Sequence, residues 1–252
     1  MTPAPRAIAF DCYGTLVDFG DHGFRQAYGE VCRLQGLSCD GDTLWAKWMT
    51  IWYRRASQPG SGESPPNGPM LTVSSRPLKG PVPVFHPYRE EWPAHFAQCF
   101  DELGLKGDPE AAYQHVHGRL VEAVAFPETR AAVDGLRARY QVALLSNADD
   151  DFLLPCLERN GLAFETVVSS ESARVYKPHE GIFHRLAAEL GLEPGDIMYV
   201  GDSPFADVLG AKHAGLRVAW LNREGRPLPE GVPPPDFEVR SLSELARFLK
   251  GE

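Results

Sequence analysis

The chain has 252 residues, of which 43% are hydrophobic, and it carries a formal net charge of −9. This length and composition predict one large domain, or a domain with a smaller insert, with enough apolar side chains to fill a core. The acidic balance and the lack of a basic block argue against a nucleic-acid-binding protein.

The cysteines and the apolar segments indicate the compartment. The five cysteines are odd in number and show no CxxC spacing, which is typical of a reducing compartment and argues against a disulfide framework or a zinc site. The first residues contain no secretory signal, and the sequence has no run of about 18 apolar residues that would cross a membrane. We therefore expect a cytoplasmic protein without a membrane partner, either a monomer or a homodimer.

The first predicted strand ends at an aspartate, within the stretch from Ala7 to Thr15. A buried parallel strand that stops at a carboxylate presents it at the edge of the sheet where ligands bind. Gly14 permits a sharp turn there, and a carboxylate kept from water can act as a nucleophile. Asp11 is therefore the candidate nucleophile. The alternative is that Asp11 only begins a turn or caps a helix.

Residues 18–126 do not show the alternation of strands and helices found later in the chain. Aromatic residues recur at helical spacing from Trp45 to Trp52 and from Trp92 to Phe100, where they are typical of packing. Residues 57–87 are crowded with Pro, Gly and Ser, which predicts a functional lid or a mobile segment. We expect residues 18–126 to form a helical module that contains this insert, and residues 1–17 and 127–252 to form the core domain.

After Phe126, short apolar strands alternate with amphipathic helices. The predicted strands are 142–146, 165–169, 197–201 and 218–221, and the predicted helices are 150–160, 178–190 and 204–214. Proline early in a helix and glycine just after it mark several of these boundaries. This alternation predicts an α/β fold with a doubly wound parallel sheet that is covered on both faces.

Further polar groups follow the predicted strands of this half. Ser146, with Asn147 behind it, offers a hydroxyl and backbone amides that could hold a phosphoryl or carboxylate oxygen, unless the pair only forms a turn. Lys177 could bridge a nucleophilic carboxylate and an anionic substrate, unless it is a solvated surface lysine. Asp202 and Asp207 flank a helix start, where they could bind magnesium or cap the helix.

The order of these groups resembles the motif order of the haloacid dehalogenase superfamily. Its four motifs correspond here to FDCYGTLVD, LLSNAD, VYKP and VGDSPFAD, and the resemblance covers residues 6–17 and 127–249. It implies a three-layered fold with a helical cap inserted between the first two motifs. It also implies a hydrolase in which Asp11 attacks the substrate and water then hydrolyses the aspartyl intermediate. The residues implied to assist Asp11 are Tyr13, Thr15, Ser146, Asn147, Lys177 and Asp207.

Some features favour the dehalogenase branch of this superfamily. Phosphatases of the group place an aspartate two residues after the nucleophile, where it acts as a general acid. This chain has Tyr13 there, in a DxYGT string that is similar to the 2-haloacid dehalogenases. The VYKP motif and the stretches 220–225 and 235–242 are similar to the same enzymes.

Other features depart from the dehalogenase pattern. Ala46 follows Trp45, where a halide-binding arginine is expected, and Phe183 stands where a tyrosine is expected. The fourth motif has Asp202 followed by Asp207, the form seen in magnesium-dependent phosphatases. These differences put dehalogenase activity in doubt.

Electrostatics supplies the remaining argument. Asp11, Asp202 and Asp207 would converge with Lys177 as the nearby cation, and carboxylates raise one another's pKa unless a cation joins them. Mg²⁺ held by Asp11, Asp202 and the backbone carbonyl of Tyr13 would meet this need. We therefore expect a magnesium-dependent hydrolase of a small anionic phosphorylated compound with a good leaving group, because a tyrosine is a weak acid. The alternatives are a metal-independent 2-haloacid dehalogenase and a catalytically silent binding protein on the same scaffold.

Overall fold

Six parallel strands form one sheet in the order β3-β2-β1-β4-β5-β6. The computed structural model describes residues 4–56 and 77–250, except for the side chains of residues 53–56 and 250. The strands are β1 (Ala7–Phe10), β2 (Gln141–Ser146), β3 (Thr166–Ser169), β4 (Ile197–Gly201), β5 (Arg217–Leu221) and β6 (Phe237–Val239). This strand order, with β1 at the centre, is that of a doubly wound α/β fold, so the predicted fold class is confirmed.

The central strand β1 pairs with β2 on one side and with β4 on the other. Ala7 lies opposite Gln141 and Ile197, and all four residues of β1 are fully buried. A parallel strand covered on both faces reads as a continuous apolar run, which explains why the signal for β1 was clear in the sequence. The strand order reverses between β1 and β4, which opens a crevice at their carboxyl ends.

Helices cover both faces of the sheet. After β1 they are α1 (Asp21–Leu34), α2 (Gly41–Ala56), α3 (Tyr88–Glu102), α4 (Pro109–Val121), α5 (Thr129–Arg137), α6 (Asp150–Arg159), α7 (Ser170–Ala173), α8 (Glu180–Leu190), α9 (Gly210–His213) and α10 (Leu242–Lys250). Ile8 and Phe10 face one hydrophobic cluster, and Ala7 and Ala9 face the other, as the two-residue period of a strand requires. None of the described helices is long and apolar enough to cross a membrane.

Helices α1–α4 lie between β1 and β2 in the chain and pack through aromatic rings. The ring of Trp48 lies 4.7 Å from that of Phe96, and the ring of Tyr28 lies 5.2 Å from Phe96, measured between centroids. Trp45 and Trp92 are buried in the same cluster. The periodic aromatic residues therefore serve packing, as their spacing indicated.

The predicted insert at 57–87 falls largely outside the described residues, which resume at residue 77. Residues 77–87 contain no helix or strand. They contact the segment from Tyr176 to Glu180, which follows β3. Glu180 donates its backbone N–H to the carbonyl oxygen of Leu78 at 2.7 Å, and the ring of Phe85 stacks on that of Tyr176 at 4.9 Å. This part of the insert therefore lies close to the segment that carries Lys177.

The predicted helix 204–214 differs in its first turn. Residues Pro204–Leu209 form a π-helical turn, which continues as α9. The carbonyl oxygen of Ser203 accepts N–H groups from both Asp207 and Val208, at 3.0 and 3.1 Å. The wider turn accompanies the inward placement of Asp207, whose carboxylate bonds to the Ser203 N–H and to Lys177. Such turns are frequent at functional sites.

Candidate active site

Asp11 lies at the carboxyl end of β1, at the crevice between β1 and β4. Its backbone N–H donates to the carbonyl oxygen of Val200 at 2.9 Å, which fixes the position of the residue against β4. The Oδ1 atom accepts hydrogen bonds from Ser146 Oγ at 2.8 Å and from Lys177 Nζ at 2.7 Å. Among the described residues both of these contacts are made by Oδ1, so Oδ2 is the oxygen left to attack a substrate.

Lys177 is buried beneath this carboxylate and has three acceptors. Its Nζ donates to Asp11 Oδ1 and to Asp207 Oδ1, each at 2.7 Å, and to the Tyr199 hydroxyl oxygen at 2.9 Å. An ammonium group has three N–H bonds, and each has its own acceptor here. Burial alone lowers the pKa of Lys177, but the charges of Asp11 and Asp207 outweigh it, so the pKa is raised. Lys177 is a fixed cation and not a solvated surface lysine.

Asp202 follows β4 and completes a cluster of three carboxylates. Oxygen atoms of Asp11, Asp202 and Asp207 all lie within 4.8 Å of one another. The pKa of Asp202 is raised well above its usual value, first by loss of water around it and then by the charges of Asp207 and Asp11. Thr15 Oγ1 donates to Asp202 Oδ1 at a long 3.4 Å. One lysine therefore faces three carboxylates, and Asp202 is the one to which its Nζ does not donate.

Gly14 lets the turn after β1 approach the carboxylate of Asp202. Its φ angle is +85°, and a Cβ atom at this position would lie 2.6 Å from Asp202 Oδ2. Only glycine meets both conditions without strain. The structure thus brings the turn of the first motif and the carboxylate of the fourth motif together.

The cluster fits a magnesium ion in its chemistry. Mg²⁺ prefers hard oxygen ligands, and Asp11, Asp202 and Asp207 offer carboxylate oxygens only. A divalent cation would favour the ionised form of Asp202, to which Lys177 does not donate. The part of the magnesium prediction that concerns Asp11 and Asp202 is thus compatible with their positions, and the backbone carbonyl of Tyr13 stays a predicted third ligand.

Tyr13 directs its hydroxyl away from a role as proton donor. The hydroxyl lies 3.4 Å from two backbone carbonyl oxygens, those of Leu120 and Phe152, and its ring packs edge-on against Phe19 and Phe152. Burial raises the pKa of Tyr13 well above its usual value. A phenol of high pKa that faces backbone carbonyls is a poor general acid.

Asn147 shapes the site through the backbone of Lys177. Its Oδ1 accepts the Lys177 N–H at 2.7 Å, and its Nδ2 donates to the Lys177 carbonyl oxygen at 3.1 Å. The side chain therefore joins the second motif to the third. Ser146, which was expected to hold an oxygen of the substrate, donates its hydroxyl to Asp11 Oδ1 at 2.8 Å.

Sequence reasoning missed two residues, one that contacts this site and one in the loop that follows Ser146. Tyr199 lies inside β4, and its hydroxyl contacts Lys177 while donating to the carbonyl oxygen of Leu145 at 2.8 Å. The sequence feature that could have identified Tyr199 is its polar hydroxyl group within an otherwise apolar predicted strand. Asp149 follows Ala148 in the loop after β2 and is fully buried, although its position in the sequence is that of an ordinary helix cap.

Three comparisons with known proteins identify the family of the chain. The family model described as haloacid dehalogenase-like hydrolase matches residues 5–215. "Haloacetate dehalogenase H-2" of Moraxella sp. (strain B) is 34% identical, covering 96% of this chain and 97% of the relative. The structure titled "Crystal Structure of the L-2-Haloacid Dehalogenase RSc1362" has a TM-score of 0.75 and 20% identity, covering 98% of this chain and 100% of that chain, which shows a shared fold.

Similarity to phosphatases is also present but covers less of the chain. "Phosphoserine phosphatase" of Thermus thermophilus is 33% identical over 63% of this chain and 64% of the relative. Full-length similarity to a dehalogenase therefore favours the alternative in the sequence analysis over the phosphatase that it preferred. Both kinds of relative are hydrolases, and the predicted superfamily is confirmed: the chain belongs to the haloacid dehalogenase-like hydrolase family.

Proposed function

We propose that the protein hydrolyses the carbon–halogen bond of a small 2-haloacid, with Asp11 as the nucleophile. The position of the Tyr13 hydroxyl carries this proposal, because it leaves the first motif without a proton donor for the leaving group. A halide leaves without a proton, whereas the alkoxide of an ordinary phosphate ester needs one. The full-length similarity to a haloacetate dehalogenase supports the same choice.

The reaction takes two steps at Asp11. In the first, Oδ2 displaces the halide from C2 of the acid, which forms an ester between Asp11 and the substrate. Ser146 and Lys177 hold Oδ1 during this attack and orient the carboxylate. In the second, water attacks the Asp11 carbonyl carbon, releases the 2-hydroxyacid and restores the carboxylate. The proton from water goes to a neighbouring carboxylate, and Asp202 is the candidate because Lys177 donates to Asp11 and Asp207 instead.

Lys177 makes an anionic substrate acceptable in an acidic site. Its pKa is raised, so it is fully protonated at neutral pH and offsets part of the charge of Asp11 and Asp207. The N–H groups of the loop after Ser146 are the predicted partners of the substrate's carboxylate. We therefore place the substrate over the carboxyl ends of β1 and β2.

A second candidate, magnesium-dependent hydrolysis of a phosphorylated compound, is favoured by Asp202. This carboxylate has no cation of its own among the described residues, in a cluster that contains two more carboxylates. Asp11 and Asp202 would hold Mg²⁺, which would neutralise charge on a phosphoryl group. Asp11 would then attack phosphorus in place of carbon. Because Tyr13 is a poor acid, the leaving group would be an acyl phosphate or an aryl phosphate.

A parallel assay separates the two candidates. Purified protein is given chloroacetate or 2-chloropropionate, and separately acetyl phosphate or 4-nitrophenyl phosphate, each with MgCl₂ and with excess EDTA. Halide release that is unaffected by EDTA supports the dehalogenase. Phosphate release that EDTA abolishes, with no halide released, contradicts it and supports the phosphatase. Asp11→Asn is the control, and it should lose several orders of magnitude in either activity.

A further inference from the structure

Asp149 stands at the start of helix α6 but does not cap it. Its side chain accepts no hydrogen bond from the first turn of α6, and the N–H of Asp150 donates instead to Glu171 Oε2 at 2.8 Å. Asp is a preferred residue at this position because it normally bonds the N–H groups of its own helix. The side chain of Asp149 has therefore been redirected.

The carboxylate of Asp149 caps helix α3 instead. Its Oδ1 accepts the backbone N–H of Tyr88 at 3.0 Å, and its Oδ2 accepts that of Arg89 at 2.9 Å. The residue before this helix is Pro87, whose side chain has no hydrogen-bonding group. Asp149 is fully buried, so its carboxylate has given up water for these two N–H groups. The contact joins segments 60 residues apart in the chain.

The loop that carries Asp149 is also the loop that builds the active site. Ser146 binds Asp11, and Asn147 binds the backbone of Lys177 on both sides. Ala148 exchanges two hydrogen bonds, each of 3.0 Å, with the hydroxyl of Ser170. Asp149 is the next residue. Each of these four consecutive residues therefore contacts a different part of the structure. The part that Asp149 contacts is helix α3, one of the helices inserted between β1 and β2.

Helix α3 contributes to a group of aromatic rings next to the first motif. We call this group, formed by Tyr88, Tyr176, Phe152 and Tyr13, the aromatic wall. The ring of Tyr88, the first residue of α3, lies 5.0 Å from that of Tyr176 and 6.4 Å from that of Phe152. Phe152 in turn lies 5.8 Å from Tyr13, two residues after the nucleophile. A shift of the start of α3 would therefore move rings that pack around the first motif.

We propose that Asp149 is a positioning residue that fixes helix α3, and with it the aromatic wall, to the loop that carries Ser146 and Asn147. The inserted helices are then held over Asp11 only when this loop is in its active geometry. When the contact of Asp149 with helix α3 is weakened, the arrangement competent to bind substrate becomes a smaller fraction of the population. The apparent affinity for substrate falls by that fraction, while bound substrate still reacts at the original rate.

The proposal predicts a change in KM rather than in kcat. In Asp149→Asn one carboxylate oxygen becomes an NH₂ group that faces a backbone N–H, so one of the two bonds is lost. We expect KM to rise about tenfold, and kcat to change by less than about threefold. Asp149→Ala should raise KM further, and Asp149→Asn keeps the test available if the alanine variant does not fold.

Two control variants separate positioning from stability. Asp108 caps its own helix α4 through one oxygen: Oδ1 accepts the N–H groups of Glu110 and Ala111 at 3.0 and 3.1 Å, and this contact lies within the inserted helices. Asp108→Ala should destabilise the protein and leave KM unchanged. Arg89→Gln removes the ion pairs to Asp149 and Glu171 while keeping the backbone N–H, so its KM should stay within about threefold of the wild-type value.

This inference rests on the proposed hydrolase activity, so a second measurement is made without substrate. Hydrogen exchange at the amides of Tyr88 and Arg89 should accelerate at least about tenfold in Asp149→Asn, with little change in α4. If no substrate is turned over but hydrogen exchange at α3 accelerates, the proposed function fails, while the role of Asp149 in fixing helix α3 is supported. Unchanged exchange at α3, or an equal rise in KM for Asp108→Ala, would overturn the role given to Asp149.

Discussion

The hydroxyl of Tyr199 is the neutral acceptor among the three that hold Lys177. It accepts from Nζ at 2.9 Å and donates to the carbonyl oxygen of Leu145 at 2.8 Å. Asp11 and Asp207 attract Lys177 from different directions, and Tyr199 fixes the ammonium group between them. Because the contact uses one oxygen atom, it can be removed without changing the volume of the core.

Tyr199→Phe should lower kcat/KM by about 10- to 100-fold, because a hydrogen bond to a charged group is worth about 1.5–3 kcal/mol and each 1.4 kcal/mol is a factor of ten. Steady-state assays of halide or phosphate release measure this loss. Tyr140→Phe is the matched control, since the Tyr140 hydroxyl contacts the Leu249 carbonyl oxygen away from the cluster. An equal loss of activity in both variants would mean that Tyr199 acts only through stability.

The pH dependence of the reaction follows from the pKa of Asp11. Burial raises this pKa, Lys177 lowers it, and Asp207 raises it, with a net increase above the ordinary value for an aspartate. Asp11 attacks as the carboxylate, so kcat/KM should fall as the pH drops through this raised pKa. Asp207→Asn removes a neighbouring negative charge and should move the acid limb to lower pH. If the acid limb of the kcat/KM profile stays in place in Asp207→Asn, or moves to higher pH, the proposed effect of Asp207 on the pKa of Asp11 is contradicted.

Asp11, Ser146 and Asp202 could be predicted because each stands at the end of an apolar strand, and the carboxyl ends of parallel strands meet at one edge. Lys177 was also expected at the end of a strand, but it lies beyond α7, which separates it from β3. The direction of the Tyr13 hydroxyl could not be predicted. It depends on backbone carbonyls of Leu120 and Phe152, which come from helices more than 100 residues away.

Among the secondary-structure elements, the long and regular ones agreed best with the sequence. Strand β4 begins and ends where its apolar run does, and α8 ends at Leu190 before Gly191, which has a φ angle of +64°. Strand β6 has three residues, too few for a periodic signal. The π-helical turn after Ser203 was not foreseen, since it depends on the inward contacts of Asp207.

The turn after β1 offers a test at the level of a single element. Gly14→Ala places a Cβ against the Asp202 carboxylate and forces alanine to a φ of +85°. We expect a loss of activity together with a loss of stability that exceeds about 1–2 kcal/mol, the usual cost of a left-handed backbone conformation. Chemical denaturation and activity assays measure both effects.

Gly36→Ala is the matched control for this substitution. Its φ angle is +63°, but a Cβ there would meet no atom within 4 Å. It should therefore lose about 1–2 kcal/mol of stability and keep its activity. If Gly14→Ala is as active as Gly36→Ala, the close approach of the turn to Asp202 has no role in the reaction.

At the scale of the molecule, the acidic cluster should cost stability. The raised pKa of Asp202 means that the folded state holds this proton more tightly than the unfolded state does. The contribution of Asp202 to stability is therefore greatest below the unfolded pKa of about 3.9 and is lost as the pH rises through the folded pKa. Asp202→Asn should raise Tm at pH 8 and flatten its pH dependence, whereas Asp101→Asn, an exposed control, should change neither.

Magnesium should restore part of this stability if the cluster binds it. A ligand present at 100 times its Kd stabilises the folded state by about 2.7 kcal/mol. Tm of the wild-type protein should rise with MgCl₂, and Tm of Asp202→Asn should not. Identical responses in both proteins would contradict a metal site at Asp202 and strengthen the metal-independent dehalogenase.

The central position of β1 also decides when the protein can first become active during its synthesis. Asp11 leaves the ribosome early, but its contacts with Ser146 and Lys177 span 135 and 166 residues, and that of Thr15 with Asp202 spans 187. Translation adds about 5–20 residues per second, so the nucleophile waits from about 7 to about 33 seconds for Ser146 and Lys177. Meanwhile both hydrogen-bonding edges of β1 are open to other chains, as expected of a topology with high contact order. A nascent chain that stops before β4 thus carries the nucleophile without the strand that positions it.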